Sequence, residues 1–300
     1  MPAEAARGSS KDQQLKHIGN AYSILIRRQS TLTMTNLPSP PFVDIKGIAN
    51  FRDVGGQLDN VRKGVVFRSA DPSKASEEGL KKMSKDLGIT TIFDLRSAPE
   101  IKRDGPEWAD IAVDAQDVFE PYGIKRQWVP VFAEQDYGPD QVALRYKEYT
   151  REGSAGFVKA YHDILLSAPS AYGAMFRHLA QEKPTPCLVN CTAGKDRTGV
   201  VVALLLSLIG VDKEKIAEEY ALTDQGLAEL RPIFIERLLK NPALEGNREG
   251  VGNMVSSKKE NMLAALEMIQ KEFGGAENYM QERCGLEDEE IGRLRKNLRA

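Results

Sequence analysis

Residues 187–199, CLVNCTAGKDRTG, decide how this chain folds. The stretch divides into a predicted strand over 186–190, a tight loop over 191–197 with small residues at its turn, and a buried helix over 198–209. A strand, a loop and a helix in that order point the N–H groups of the loop at one place, and the helix dipole adds positive potential behind them. The stretch therefore predicts a preformed anion site.

Three side chains of the loop indicate what the anion meets. Cys191 follows the strand, where the N–H donors would stabilise a thiolate and make it a nucleophile at neutral pH. Arg197 comes six residues later, and its planar fork can bind two phosphate oxygens. Thr198 can donate its hydroxyl to the thiolate. A cysteine and an arginine separated by five residues are typical of phosphatases in which the cysteine attacks phosphorus and water hydrolyses the phosphocysteine.

The loop has two other interpretations, a nucleotide-binding site and a purely structural turn. A nucleotide-binding phosphate loop needs a glycine five residues before Gly194 and a serine or threonine after Lys195, but Val189 and Asp196 stand there. The motif for that site is therefore absent. A purely structural cysteine at a strand end, followed by a capping threonine, would leave Lys195, Asp196 and Arg197 crowded together without a task.

Residues 190–199 resemble the signature loop of the protein tyrosine phosphatase superfamily. Their core, Ala-Gly-Lys-Asp-Arg, resembles the bacterial and fungal branch typified by the mycobacterial secreted tyrosine phosphatase. The resemblance runs from about residue 45 to the C-terminus and includes the entry motif IANFRDVGG at 48–56. One position departs from it: Asn190 stands where the family usually has a histidine that orders the loop and acidifies the cysteine. Asparagine can still hydrogen-bond, so we expect a weaker version of the same effect.

The resemblance implies a phosphate monoesterase that needs no metal and no cofactor. It makes Cys191 the nucleophile and gives Thr198 the task of stabilising the departing thiolate. The phosphate-binding residues would be Arg197 with Thr192, Ala193, Gly194 and Lys195. Lys195 would add positive charge at the rim of the pocket. A basic rim suits a doubly phosphorylated ligand, so phosphoinositides are candidate substrates beside phosphotyrosine proteins, with phosphoserine and phosphothreonine as further candidates.

The general acid has three candidates. In the wider superfamily a loop upstream of the cysteine supplies an aspartate, and Asp136 and Asp140 lie on a predicted loop of that kind. Asp196 lies inside the phosphate-binding loop, and the branch resembled is thought to use an acid there. Like-charge repulsion from a bound phosphate favours the protonated form of a nearby carboxyl group, which suits a general acid. We therefore prefer Asp196 and keep the other two as alternatives.

A second pair of candidate site residues comes from the predicted sheet. A strand over 64–69, a helix over 77–87 and a buried strand over 89–95 form a parallel β-α-β unit. Asp94 and Arg96 lie at the carboxyl end of the second of these strands, the edge where ligands bind in open α/β sheets. They are candidate substrate-binding residues. A salt bridge at the strand end, with a helix cap from Ser97, is an equally good interpretation.

The organisation predicted for the whole chain is a partly disordered tail over 1–41 and a phosphatase domain over 42–300. The expected fold is α/β, with a single central, mostly parallel sheet flanked by helices, tyrosine-phosphatase-like, and with extra C-terminal helices. Arg52 and Asp53 can pair and fix the Gly-Gly turn after the first strand. The sequence predicts a short strand over 127–132 and a loop over 241–257.

Composition excludes several classes of function. The 300 residues carry a net charge of −2, so nothing global indicates binding to nucleic acid or a membrane surface. The chain has three cysteines, a small and odd number that does not suit a disulfide framework. The cysteine count therefore favours a reducing, cytoplasmic location. Apolar runs are too short for an integral membrane segment, and no signal peptide is evident. The three histidines are scattered and suggest no metal site. The oligomeric state is left open.

Two classes of function remain. The first is an active phosphatase with a phosphorylated protein or a phosphoinositide as its substrate. The second is a phosphate-binding scaffold that has lost turnover, a pseudophosphatase. The complete set of catalytic side chains favours the first, and Asn190 alone favours the second.

Overall fold

The computed structural model of the protein describes residues 37–102, 118–132 and 145–300. The predicted tail lies almost wholly outside these ranges, as do Asp136 and Asp140. The boundary at residue 42 between a tail and a catalytic domain therefore stays a prediction.

Among the described residues, five strands form one sheet; in chain order they are β1 Arg52–Asp53, β2 Val66–Ser69, β3 Thr91–Asp94, β4 Lys125–Trp128 and β5 Cys187–Asn190. Their order across the sheet is β1-β2-β5-β3-β4. β1 is antiparallel to β2, and the other neighbours are parallel. Cys187 lies level with Val66 and with Thr91, so that β2, β5 and β3 end together at one edge. The predicted mostly parallel sheet is confirmed, and β5 lies at its centre.

Helices cover both faces of this sheet. In chain order they are α1 Glu77–Lys81, α2 Ala98–Lys102, α3 Ala155–Ser167, α4 Pro169–Leu179, α5 Asp196–Leu208, α6 Lys213–Gly226, α7 Arg231–Leu238, α8 Arg248–Met254, α9 Lys259–Phe273, α10 Ala276–Asn278 and α11 Asp288–Leu298. α1 continues into a π-helical turn over Lys82–Asp86, and α10 into another over Tyr279–Arg283. None of the described helices combines the length and the apolar composition that crossing a membrane requires.

Two apolar cores hold the layers together, because successive side chains of a strand point to opposite faces. Val189 of β5 belongs to the larger core under α3, α4, α5 and α9, whereas Leu188 belongs to the smaller core under α1. Both side chains are fully buried. Burial of one such side chain contributes about 1.5–3 kcal/mol, so the central strand is anchored from both faces.

Two predicted boundaries are wrong. The strand expected over 127–132 is instead β4, Lys125–Trp128, although Val129 and Val131 beyond it still donate to the carbonyl oxygens of Asp94 and Leu95 at 3.0 and 3.3 Å. The loop expected over 241–257 contains α8 and a 3₁₀ turn, Pro242–Leu244. The asparagines that suggested a loop act as helix caps: the side chain of Asn247 accepts from the N–H of Gly250 at 3.0 Å.

The expected pairing of Arg52 with Asp53 is also wrong. Asp53 accepts hydrogen bonds from the N–H groups of Gly55 and Gly64 at 3.0 and 2.7 Å, and so fixes the turn through the backbone. Arg52 points into the protein and pairs with Glu219 of α6. Neighbouring side chains of a strand point to opposite faces of the sheet, so the side chains of Arg52 and Asp53 point away from each other.

Candidate active site

The loop between β5 and α5 lies at the carboxyl edge of the sheet, at its centre. Cys191 directly follows β5, and α5 begins at Asp196. Gly194 has φ +63°, and a Cβ atom there would lie 2.2 Å from the carbonyl oxygen of Ser69 in β2. Only glycine permits both that conformation and that approach. The loop is therefore pressed against the end of the neighbouring strand.

Side chains beneath the loop hold its carbonyl groups. Asn50 donates from Nδ2 to the carbonyl oxygens of Ala193 and Gly194 at 3.1 and 3.3 Å, and Arg68 donates to Gly194 at 2.7 Å. The C=O and N–H of a trans peptide point in opposite directions, so the N–H groups that follow these carbonyls point away from the support. Among the described residues, none accepts a hydrogen bond from the N–H groups of residues 192–195. They form a set of donors available to an anion.

The side chains that support the loop are themselves held by a buried network of ion pairs. Glu219 of α6 pairs with Arg52 at 2.7 Å and with Arg68 at 2.5 Å, and all three side chains are almost fully buried. Arg52 also donates to Asn50 through a short contact. Burial and repulsion from Arg68 lower the pKa of Arg52 to about 10, although Glu219 acts in the opposite direction. One carboxylate thus neutralises part of the charge of the two arginines behind the phosphate-binding loop.

Cys191 differs from the other two cysteines in its surroundings. Burial raises the pKa of Cys187 and of Cys284 to about 12, so both stay thiols at neutral pH. Cys191 is buried as well, but it directly follows β5 and directly precedes the N–H groups of residues 192–195. The hydroxyl of Thr198 and the side-chain oxygen of Asn190 are buried and have no hydrogen-bond partner among the described residues.

Arg197 is oriented by a residue that sequence reasoning missed. Glu100 of α2 accepts from its Nη1 and Nη2 at 2.7 and 2.6 Å, and also accepts from Thr192 at 2.6 Å. A bidentate pair of this kind fixes the plane of the guanidinium. A signal for Glu100 exists in the sequence, since Ser97 followed three residues later by a glutamate is a capping-box pattern. Ser97 indeed donates to Glu100 from both its N–H and its hydroxyl at 2.9 Å.

The contacts of Asp196 with the described residues involve one of its two carboxylate oxygens. Its Oδ1 accepts from the hydroxyl of Tyr161 at 2.8 Å and lies 3.2 Å from the ammonium of Lys195. The hydroxyl of Tyr220 lies 2.6 Å from that of Tyr161. The ring of Tyr161 is buried in the core, but its hydroxyl reaches the loop. Asp136 and Asp140 lie outside the described residues, so no distance compares them with Asp196.

Lys195 does not extend to a pocket rim as expected. Its side chain is buried, and the ammonium donates to the carbonyl oxygens of Met254 and Ser256 at 2.7 and 3.0 Å. It also lies over the rings of Tyr149 and Phe157. The carbonyls at the C-terminal end of α8 attract the cation, as helix ends do. Lys195 thus attaches the phosphate-binding loop to α8.

Asp94 and Arg96 lie at the expected edge and form the salt bridge that was weighed as the alternative. Arg96 donates to both carboxylate oxygens of Asp94 at 2.9 and 2.8 Å and also pairs with Asp71. Arg126 and Asn190 donate to the same carboxylate at 3.0 and 3.2 Å. Burial disfavours ionisation of Asp94, but the arginines more than offset it and hold the pKa below its ordinary value. A contact with substrate stays a prediction.

Metal ligands do not gather in this region. Across residues 37–102, 118–132 and 145–300, no group of three or more histidine, cysteine, aspartate or glutamate side chains is arranged to hold a metal ion. What the loop and the start of α5 offer is a cysteine, a run of N–H groups without an acceptor among the described residues, an oriented arginine and a carboxyl group. This arrangement can bind a tetrahedral oxyanion and attack its centre.

Comparisons with known proteins agree with this chemistry. The chain is 27% identical over 285 residues to the triple specificity protein phosphatase PtpB of Mycobacterium tuberculosis, covering 84% of this chain and 97% of that protein. It is 29% identical over 243 residues to a putative tyrosine-protein phosphatase of Cupriavidus necator, covering 78% and 81%. A tyrosine-protein phosphatase of Nostoc commune is 31% identical over 143 residues, covering 47% and 48%. A sequence model of the tyrosine phosphatase family matches residues 43–300, and this chain belongs to that family.

Proposed function

We propose that this phosphatase hydrolyses phosphate monoesters through a phosphocysteine on Cys191, with phosphotyrosine in proteins as its main substrate. The observation that carries the proposal is the set of free N–H groups of residues 192–195 arranged beside Cys191. Such donors bind the equatorial oxygens of a phosphoryl group and stabilise the charge that develops in the transition state. Arg197, fixed by Glu100, adds a cation to the same point.

The reaction then has two steps. The Cys191 thiolate forms a bond to phosphorus while the bond to the ester oxygen breaks, and Asp196 protonates that leaving oxygen. In the second step Asp196, now a carboxylate, takes a proton from water as the water attacks phosphorus. The phosphorus–sulfur bond breaks and inorganic phosphate leaves. The unpartnered hydroxyl of Thr198 is the group assigned to receive the returning thiolate.

The position of Lys195 supports a singly phosphorylated substrate. Its ammonium has three protons, and it already has Met254, Ser256 and Asp196 as partners. A second phosphate would have to displace these buried contacts. Phosphoserine, phosphothreonine and phosphoinositide turnover, the further candidates raised by the sequence, belong to the same proposal as weaker activities. One relative is named a triple specificity protein phosphatase, which supports a substrate range wider than one class.

A cytoplasmic location is part of the proposal. All three cysteines are free thiols. Free thiols persist in reducing compartments, and the nucleophile must stay reduced to act. Fractionation of cells that produce the full chain, with detection by antibody, tests this location; recovery mainly outside the cytoplasm would contradict it.

Metal-independent turnover tests the function. The wild-type protein should hydrolyse para-nitrophenyl phosphate at an unchanged rate in excess chelator. Among natural substrates, a phosphotyrosine peptide should be hydrolysed faster than matched phosphoserine and phosphothreonine peptides and than phosphoinositides in vesicles. Loss of turnover in chelator would contradict the cysteine mechanism. Binding of phosphate without any turnover would favour the scaffold and make Asn190 the first residue to change to histidine.

Replacing Asp196 by asparagine tests the general acid. General acid catalysis contributes about 10²–10⁴-fold, so kcat/KM for phenyl phosphate should fall within that range. The loss should be smaller for 2,4-dinitrophenyl phosphate, whose leaving group needs no proton. Asp136→Asn and Asp140→Asn are the matched comparisons and should each change the rate less than about 3-fold. A larger loss in either of them than in Asp196→Asn would move the acid to the upstream loop.

A further inference from the structure

Two buried tyrosines lie behind Asp196 and are not explained by core packing alone. Tyr161 of α3 and Tyr220 of α6 are almost fully buried, with their rings in edge-to-face contact. Their hydroxyls lie 2.6 Å apart, and that of Tyr161 reaches Asp196 at 2.8 Å. A buried phenol needs a hydrogen-bond partner, and here the partners form a chain that ends on the carboxyl group.

The direction of this chain is fixed by chemistry. The Asp196 carboxylate can only accept, so the Tyr161 hydroxyl donates to it. The Tyr161 proton is then engaged, and Tyr220 must donate to the Tyr161 oxygen. Burial, followed by the charge of Asp196, raises the pKa of both phenols well above its ordinary value, so both keep their protons. Hydrogen bonds in a chain of this kind strengthen one another.

The contacts also distinguish the two oxygens of Asp196. Tyr161 and Lys195 both reach Oδ1, at 2.8 and 3.2 Å. No hydrogen bond from the described part of the chain reaches Oδ2. The carboxyl group is therefore fixed through one oxygen, which leaves the other to carry the transferred proton.

Gly199 allows the ring of Tyr220 to pack closely against α5. A Cβ atom on Gly199 would lie 2.9 Å from the ring of Tyr220, so a larger residue on this turn of α5 would push the ring away. The glycine that follows Thr198, inside α5, therefore leaves room for a neighbouring side chain. It admits the tyrosine that supports the acid.

We propose that Tyr161, supported by Tyr220, is a positioning residue that holds Oδ1 of Asp196 so that Oδ2 faces the leaving oxygen. The inference rests on the proposed function and deepens it. In the first step Tyr161 also stabilises the carboxylate as the proton departs from Oδ2. In the second step it holds the same carboxylate ready to take a proton from water.

Leaving-group dependence separates this role from a merely structural one. In Tyr161→Phe, kcat/KM for phenyl phosphate should fall about 10-fold, the value of one hydrogen bond to a charged group. For 2,4-dinitrophenyl phosphate it should fall less than about 2-fold, because that leaving group needs no proton. Tyr220→Phe should show the same pattern with a smaller loss. In an Asp196→Asn background, Tyr161→Phe should cause no further loss.

Tyr279→Phe is the matched control. Tyr279 is also fully buried, and its hydroxyl donates to the carbonyl of Leu165 in α3 at 2.7 Å, away from Asp196. It should lose thermal stability as Tyr161→Phe does but keep both rates. Equal losses on the two substrates, or an additive loss in the Asp196→Asn background, would overturn the positioning role alone. An inactive wild type would overturn the proposed function and this role with it.

Discussion

Replacing Cys191 by serine is expected to lower kcat for para-nitrophenyl phosphate by at least about 10⁴-fold, the scale on which removal of a nucleophile acts. A serine hydroxyl stays protonated at neutral pH, and the loop donors that stabilise a thiolate cannot ionise it. The loop N–H groups and Arg197 remain, so affinity for a phosphotyrosine peptide should change less than about 3-fold. Steady-state kinetics and isothermal titration measure the two effects separately.

Cys284→Ser is the control for this substitution. Cys284 lies at the end of the π-helical turn Tyr279–Arg283, and burial keeps it a thiol. Its replacement should leave kcat within about 3-fold of the wild-type value. Activity that survives in Cys191→Ser, or that disappears equally in Cys284→Ser, would contradict the assignment of the nucleophile.

Replacing Glu219 by glutamine is expected to lower the free energy of unfolding by about 3–5 kcal/mol. The change leaves Arg52 and Arg68 buried without a compensating charge, and an unpaired buried charge costs that much. Because Arg68 donates to the Gly194 carbonyl, the loop should lose its support as well. The affinity for phosphate should therefore fall even at temperatures at which the variant is still folded. Urea titration and phosphate binding measure the two losses.

Glu218→Gln provides the neighbouring comparison. Glu218 pairs with Lys259 at 2.8 Å, but both side chains are about half exposed. An exposed ion pair contributes about 0–1 kcal/mol, so the stability should hardly change. Similar losses in the two variants would mean that the buried network is not what stabilises this region.

The pH dependence of the Glu219 effect has a definite sign. Burial by itself would raise the pKa of Glu219, but Arg52 and Arg68 more than reverse this and hold it below the ordinary 4.5. A lowered carboxyl pKa stabilises the folded state above the unfolded-state value and loses that contribution as the pH falls through the folded-state value. The stability difference between wild type and Glu219→Gln should thus be full at pH 7 and shrink below about pH 4.5. A difference that stays constant down to pH 3.5 would contradict this.

The elements nearest the catalytic loop were predictable because their signals are local. Strand β5, the loop and the start of α5 follow from thirteen consecutive residues, in which a short apolar run leads into small residues at the turn. The cap of α6 is equally local, since Asp212 accepts from the N–H of Glu214 at 2.8 Å and aspartate is a preferred N-cap residue. Such features depend on residues within a few positions of one another, so they can be predicted directly from the sequence.

The side chains that support the site were not predictable, because their partners are distant in the sequence. Glu219 meets Arg52 across 167 positions, and Tyr161 meets Asp196 across 35. No periodicity links such pairs, because the partner is chosen by the packing of α3 and α6 against α5. Lys195 shows the same effect: its charge suggested a solvent-exposed rim, and only the nearby end of α8 explains its burial.

The central position of β5 has a consequence for how the protein is made. The ribosome releases β1 to β4 before β5, yet β2 and β3 touch each other only through that later strand. Until residues 187–190 emerge, the growing chain holds two half-sheets with open hydrogen-bonding edges, which are prone to pair with other chains. The same strand that closes the edges ends at Cys191. A nascent chain therefore gains Cys191 and its complete sheet in one event, and a chain that ends before β5 has neither.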